Sequence, residues 1–194
     1  MLIRESIVEI RLSLYYKGNT ELIDSKGESH MVNKTTEVSA AEVLELLEIE
    51  GGEKVIVFGA GNGNLVIPIA HKTKDRVTAL EKDETLLEEL ALRAEEETLT
   101  NIDRMPSGLD RLLNFPDASF QRGLAAFVLD SLDEPEQAAA EMYRVTIEKG
   151  IMIALGYSRD HSADLLADKL KKAGFEVSQG DLNEEVYYVK AYKA

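Results

Sequence analysis

The sequence predicts an α/β protein with a doubly wound, mainly parallel sheet, and three observations carry that prediction. From residue 39 onward, short β-branched runs alternate with amphipathic stretches that open on cap residues. The first such run passes straight into a glycine loop, VIVFGAGNGN (55–64), whose bare backbone can turn sharply and let another group lie against it. The chain closes on two strand-like runs without a helix between them, so the last strand must run antiparallel.

Each element follows from local chemistry. Ser39-Ala-Ala-Glu42 is a capping box ahead of VLELLEI, which predicts a helix over about 40–49, broken by Gly51-Gly52. VIVF reads as a buried strand. LVIPIAHKT reads as a helix in which Pro68 is tolerable only near the first turn. RVTALE (76–81) is the second strand, and Thr85-Leu-Leu-Glu88 repeats the capping pattern to open an acidic helix. NIDRMPSG (101–108) gives a short strand and loop, and GLAAFVL (123–129) a small-residue strand. Asp133 reads as the cap of a helix that starts near Pro135 and continues through EQAAAEMYRVTI. GIMIALGY (150–157) is a strand, and Ser162 caps ADLLADKLKKAGF, ended by Gly174. The terminal runs bring the strand count to seven. In the first 38 residues, Val8, Ile10, Leu12 and Leu14 alternate like a strand while Ile3, Ile7, Ile10 and Leu14 fit a helix stripe, and both readings stay open.

The whole chain narrows the function classes. Its 194 residues make one domain large enough to bury a core without staples. With 36 acidic against 22 basic side chains the net charge is −14, which disfavours duplex nucleic acid and anionic membranes as partners. Much of the acidity sits in EKDETLLEELALRAEEE (81–97), read as a solvated helix face. The chain has no cysteine, which removes disulfides, thiolate nucleophiles and thiolate metal sites and fits a reducing cytoplasm. No stretch approaches 18 unbroken apolar residues, and the N-terminus lacks the pattern of a signal peptide.

In a doubly wound sheet, ligands bind beyond the carboxyl ends of the strands, where the strand order reverses, and the glycine loop lies in that position. The loop reads G-x-G-x-G. Asn64 replaces the last glycine of a dinucleotide fingerprint, which disfavours a nicotinamide oxidoreductase, and the lysine of a phosphate-gripping loop is missing. Glu81, about twenty residues on, closes the second strand where a carboxylate can accept both hydroxyls of a ribose.

With VIVFGAGNG (55–63), TALEKD (78–83), NFPDASF (114–120), AFVLDSL (126–132), AEMYRV (140–145) and KAGFEV (172–177), the chain resembles the class I S-adenosylmethionine-dependent methyltransferases, nearest the ubiquinone-biosynthesis-like small-molecule subgroup. The resemblance spans about residues 40–194. It implies a Rossmann-like seven-stranded sheet with an antiparallel last strand, S-adenosyl-L-methionine as cofactor and a small-molecule acceptor. It also implies that residues 39–194 form the catalytic domain and that residues 1–38 pack over the cofactor cleft. Carried over by position, Gly59, Ala60, Gly61 and Gly63 meet the cofactor's amino-acid end, and Glu81 holds its ribose. Lys82 lies beside the adenosine, Gly108, Leu109 and Asp110 flank the adenine, and Ala126 and Phe127 face the methionine portion.

Four positions depart from the family's pattern: Val57 and Leu109 where it carries acids, Gln121 after Phe120, and Val-Thr-Ile-Glu-Lys-Gly (145–150) in a turn that usually holds two glycines. They motivate an alternative, a methyltransferase-like chain kept as a binding or assembly module. Methyl transfer from a sulfonium needs no metal and no protein nucleophile, so no catalytic residue is assigned. His71 and His161 read as surface or structural residues, while His30 is the histidine nearest a functional role. Tyr15, Tyr16 and Tyr143 are candidates for an acceptor pocket. A homo-oligomer is compatible with all of this.

Overall fold

The computed structural model describes residues 38–109, 114–159 and 162–194 in full and, of the first 37 residues, the backbone of four short strands. There β1 (Ser13–Leu14) pairs with β4 (Thr36–Glu37) and β2 (Asn19–Ile23) with β3 (Ser29–Asn33), both antiparallel. Of the Val8–Leu14 alternation, only its last two residues fall within the description, and they are strand. Tyr15, Tyr16, Asp110 and His161 lie outside the described residues, and His30 is described only as backbone of β3.

The remaining chain runs α1 (Ala40–Leu47), β5 (Val55–Phe58), α2 (Val66–Thr73), β6 (Val77–Glu81), α3 (Glu84–Glu96), β7 (Ile102–Pro106) and β8 (Phe120–Ala126). A 3-10 turn (Leu129–Ser131) leads to α4 (Pro135–Val145), β9 (Thr146–Tyr157), α5 (Ala163–Ala173), β10 (Glu176–Asp181) and β11 (Val186–Tyr192). Seven strands share one sheet in the order β10-β11-β9-β8-β5-β6-β7, and β11 alone runs against its neighbours. The fold is the one the sequence predicts. After β7 the chain returns to the far side of β5, so the strand order reverses between β5 and β8, and a crevice opens above their carboxyl ends.

The central strands are apolar throughout because both faces are covered. Val55 and Val57 face a core completed by α1, α2 and α3, while Ile56 and Phe58 face one completed by α4 and α5. Pro68 falls in the first turn of α2, where a proline is tolerated.

α4 stops at Val145 and β9 begins at Thr146, four residues before the run GIMIALGY, and three further differences have local reasons. The acidic helix is capped by Asp83, whose carboxylate accepts from the Thr85 N–H, and not by Thr85. β8 ends three residues earlier than read, because Phe127 takes a left-handed backbone (φ 58°) that breaks the strand. Asp133 is not the cap of α4: Glu134 occupies that position and makes no side-chain bond there.

The amino ends of the strands form a rim closed by polar latches. Arg144 reaches Glu141 through both nitrogens of one edge (2.8 and 2.6 Å), and also the Phe115 carbonyl and Asp117 (each 2.7 Å). Those contacts tie two of the quoted motifs, NFPDASF and AEMYRV, to each other, and the bond to Glu141 followed by that to Asp117 pushes the Arg144 pKa up. Gln121 accepts from the Lys54 N–H (2.8 Å), and the buried Lys193 ammonium donates to the carbonyls of Tyr143 and Thr146 while lying over the Tyr143 ring. Tyr143 also meets Phe175 edge-on. Its place on this rim, across the sheet from the crevice, removes it from the acceptor-pocket candidates.

Candidate functional site

The crevice is built on the turn from β5 into α2. The N–H groups of Gly59 and Ala60 both donate to the Leu80 carbonyl at the end of β6 (2.9 and 3.0 Å), which fastens the start of the glycine loop to the neighbouring strand. Gly61 follows with φ 54°, and a Cβ there would meet nothing within 4 Å, so this residue presents bare backbone to open space. Gly63 (φ 93°) is glycine for another reason: a side chain would run into Leu90 of α3. Gly59 presses on the Ala126 carbonyl, to which a Cβ would stand 2.7 Å away.

Two long-range contacts set the loop's shape. Glu81, half-buried, turns inward: one carboxylate oxygen accepts from the Gly61 N–H (2.9 Å), the other from the N–H groups of Lys82 and Asp83 (2.8 and 3.1 Å). From the other side, Arg93 of α3 donates to the Asn62 carbonyl (2.8 Å) and the Asn64 side-chain oxygen (2.7 Å). Asn64, which spoils the dinucleotide fingerprint, is thus an anchor of the loop. Sequence reasoning missed Arg93. Its signal was there to read, a single cation inside an otherwise acidic helix.

Above this turn lies a cavity of about 100 Å³. Phe58, Leu80, Leu109, Val128 and Leu132 make it an apolar slot, while Gly59, Glu81, Lys82, Ser107, Gly108 and Ser131 edge it with polar groups. Beside it lies a second cavity of about 350 Å³ that shares Lys82, Leu109, Ser131 and Leu132 and adds Asp133, Glu134 and Gln137. Of the residues singled out from sequence, Gly59, Glu81, Lys82, Gly108 and Leu109 line the slot. Gly61 is tied to it through Glu81, and Ala60, Gly63 and Ala126 are buried beside it. Asp110 lies outside the described residues. Of the walls contributed by Ser107 and by residues 128–137, Val128, Ser131 and Leu132 belong to the quoted motif AFVLDSL, but none of these side chains was assigned to the site from sequence.

Phe127 turns away from the slot. Its ring stacks on Tyr157 at the end of β9 (centroids 4.3 Å apart, planes at 19°), and the Arg159 guanidinium lies 5.1 Å from the Tyr157 centroid. Tyr157, Arg159, Glu184 and Glu185 enclose a further cavity of about 110 Å³ on this side of the strand-order reversal. Among the other candidates, His71 is exposed and 2.6 Å from Glu97, a surface pair remote from the crevice.

A sequence profile described as a methyltransferase domain matches residues 56–154, from β5 into β9. A probable ribosomal RNA small subunit methyltransferase A of Methanosphaera stadtmanae is 32% identical over 87 residues, 45% of this chain and 31% of that protein. A phosphatidylethanolamine N-methyltransferase of Cereibacter sphaeroides is 27% identical over 129 residues, 66% of this chain and 63% of that protein. The matches thus cover less than two thirds of either curated relative. Among solved structures, a SAM dependent methyltransferase from Aquifex aeolicus superposes with a TM-score of 0.71 at 18% identity, covering 80% of this chain and 89% of that one, a likeness of fold.

Proposed function

We propose that the chain, which belongs to the methyltransferase-domain family, is an S-adenosylmethionine-dependent methyltransferase that acts on a small-molecule acceptor above the β5–β8 crevice. The residues present suit the cofactor. Glu81 offers a carboxylate at the rim of an apolar slot that matches a purine face, and Gly61 leaves backbone uncovered beside it. When bound, S-adenosylmethionine supplies an electrophilic methyl group on a sulfonium. The chain's own share is to hold: Glu81 for the ribose hydroxyls, Leu80, Leu109, Val128 and Leu132 for the adenine, and the Gly59–Gly63 turn for the amino-acid end. Most of the acceleration then comes from positioning the acceptor's lone pair in line with the methyl carbon.

The inward-turned Glu81 is the observation that carries this reading. The acceptor side is read as the wall of Phe127, Tyr157 and Arg159. A small acceptor, rather than the ribosomal RNA or phospholipid in the relatives' names, is supported by the net charge of −14, which repels polyanions and anionic surfaces. Titration calorimetry with S-adenosylhomocysteine, then radiolabelled methyl transfer to small amines, phenols and acids, to phosphatidylethanolamine vesicles and to ribosomal RNA, tests it. Micromolar binding with turnover on a small acceptor is the expected result. Turnover confined to vesicles or RNA would replace the acceptor, and absence of binding at millimolar ligand would remove the reading.

One feature favours a second reading, a methyltransferase fold kept as a binding module. Val57, where the resemblance implies a carboxylate for the cofactor's ammonium group, is fully buried. Cofactor binding without turnover on any acceptor of the panel is what that reading expects.

A further inference from the structure

We propose that Asp133 reads the cofactor's adenine, its carboxylate accepting a hydrogen bond from the 6-amino group; the inference rests on the cofactor assignment above. The resemblance implies an acid at position 109 for this task, but the residue there is Leu109, 4% exposed and part of the slot's apolar wall. The acceptor must come from elsewhere. Glu81 marks the ribose end of the slot, so a purine lying between Leu109 and Leu132 directs its far edge toward the wider cavity, which shares Lys82, Leu109, Ser131 and Leu132 with the slot. Asp133, Glu134 and Gln137 form that cavity's added wall.

Chemistry and chain position select among the three. A 6-amino group only donates, so the partner must be an acceptor, and a charged acceptor makes the stronger bond. That leaves the two carboxylates. Asp133 directly follows Leu132, which lines slot and cavity alike, whereas Glu134 starts to lead the chain away into α4. The Asp133 carboxylate is also not engaged as the cap of α4. A carboxylate lost from one wall of the cleft is thereby restored from the opposite wall.

The test is a cycle of calorimetric titrations pairing S-adenosylhomocysteine and its analogue lacking the 6-amino group with the wild type, Asp133→Ala, Asp133→Asn and Asp110→Ala. The wild type is expected to bind the analogue about tenfold or more weakly. In Asp133→Ala that ratio falls to about twofold or less, Asp133→Asn keeps part of it, and Asp110→Ala leaves it intact. Melting temperatures of the Asp133 variants stay at the wild-type value, since no cap is lost. A ratio that persists in Asp133→Ala, or disappears in Asp110→Ala, overturns the proposal while leaving the cofactor assignment standing. Failure of the wild type to bind S-adenosylhomocysteine at all overturns both.

Discussion

At the amino rim of the sheet, polar side chains are turned onto the protein itself. Arg144 holds Glu141, Asp117 and the Phe115 carbonyl, Gln121 holds the Lys54 N–H, and Lys193 holds two carbonyls. At the carboxyl rim the floor is held that way through Glu81 and Arg93, while Lys82, Asp133, Glu134 and Gln137 line a cavity. The contrast sorts the departures from the family pattern. Gln121 and residues 146–150, which form the start of β9, lie on the latched rim, where Gln121 still supplies the acceptor that Lys54 requires. Val57 and Leu109 lie toward the open rim, where a lost carboxylate changes what a ligand meets.

Arg144→Ala is expected to have the largest effect, and on stability alone. It removes the two charge-assisted bonds that the Glu141 carboxylate, 3% exposed, accepts from Arg144, at about 3–5 kcal/mol. In a domain of this size that lowers the melting temperature by about 6–20 °C. S-adenosylhomocysteine affinity, measured well below the new midpoint, stays at the wild-type value. A variant that melts normally yet loses the ligand would erase the distinction between the rims.

Glu81→Ala is the converse. Its N–H partners sit at a rim where water replaces the carboxylate, so the melting point shifts far less than for Arg144→Ala. Ligand affinity falls by about tenfold to a hundredfold, the loss of a charge-assisted bond. Paired calorimetry and thermal melts check both halves, and a melting shift as large as that of Arg144→Ala would make Glu81 a latch and not a binding group.

The two glycines behind it sharpen the same division. Gly63→Ala drives a Cβ into Leu90 at φ 93° and costs about 1–3 kcal/mol of stability. Gly61→Ala meets no neighbour, and its φ of 54° lies in a region that alanine enters at about 1 kcal/mol, so denaturant titration finds it the milder change. Its methyl group nevertheless projects into open space beside the Glu81 contact, and the expectation is that ligand affinity suffers more than stability. Equal stability losses in the two variants would mean that the loop relaxes as a unit.

The same division explains what could be read before the structure. Strands and helices were legible because buried parallel strands and capped helices write their own periodicity, and the terminal hairpin announced its antiparallel strand. Boundaries failed where one residue's backbone decided: Phe127, in a left-handed conformation, ends β8 early, and no composition marks that. On the site's floor, Gly59, Gly61 and Glu81 were legible because short-range spacing brings loop and strand end together. Its far wall was not, because Ser107, Ser131 and Asp133 meet only through the order of strands β7, β6, β5 and β8. Asp133 was read as a cap because sequence shows only its neighbours, here a proline two residues on.

The smallest expected effect belongs to Glu53, next to the latched rim. Burial pushes its pKa up, but N–H bonds from Glu50 and Gly51 (each 2.9 Å) and the charge of Arg122 outweigh burial and hold it below the ordinary carboxylate value. A carboxyl group more acidic in the native state than in the unfolded one stabilises the fold at any pH above its unfolded value. That contribution fades as pH falls through the lowered native value. Glu53→Gln removes the charge and should therefore be less stable than the wild type at neutral pH, with the gap closing below about pH 4.5 as the wild type protonates. Thermal melts of both proteins between neutral and acidic pH give the difference directly, since every other titrating group is common to the two. A gap that stays constant into acid would mean that Glu53 acts through its shape and hydrogen bonds alone and that its charge contributes nothing to this rim.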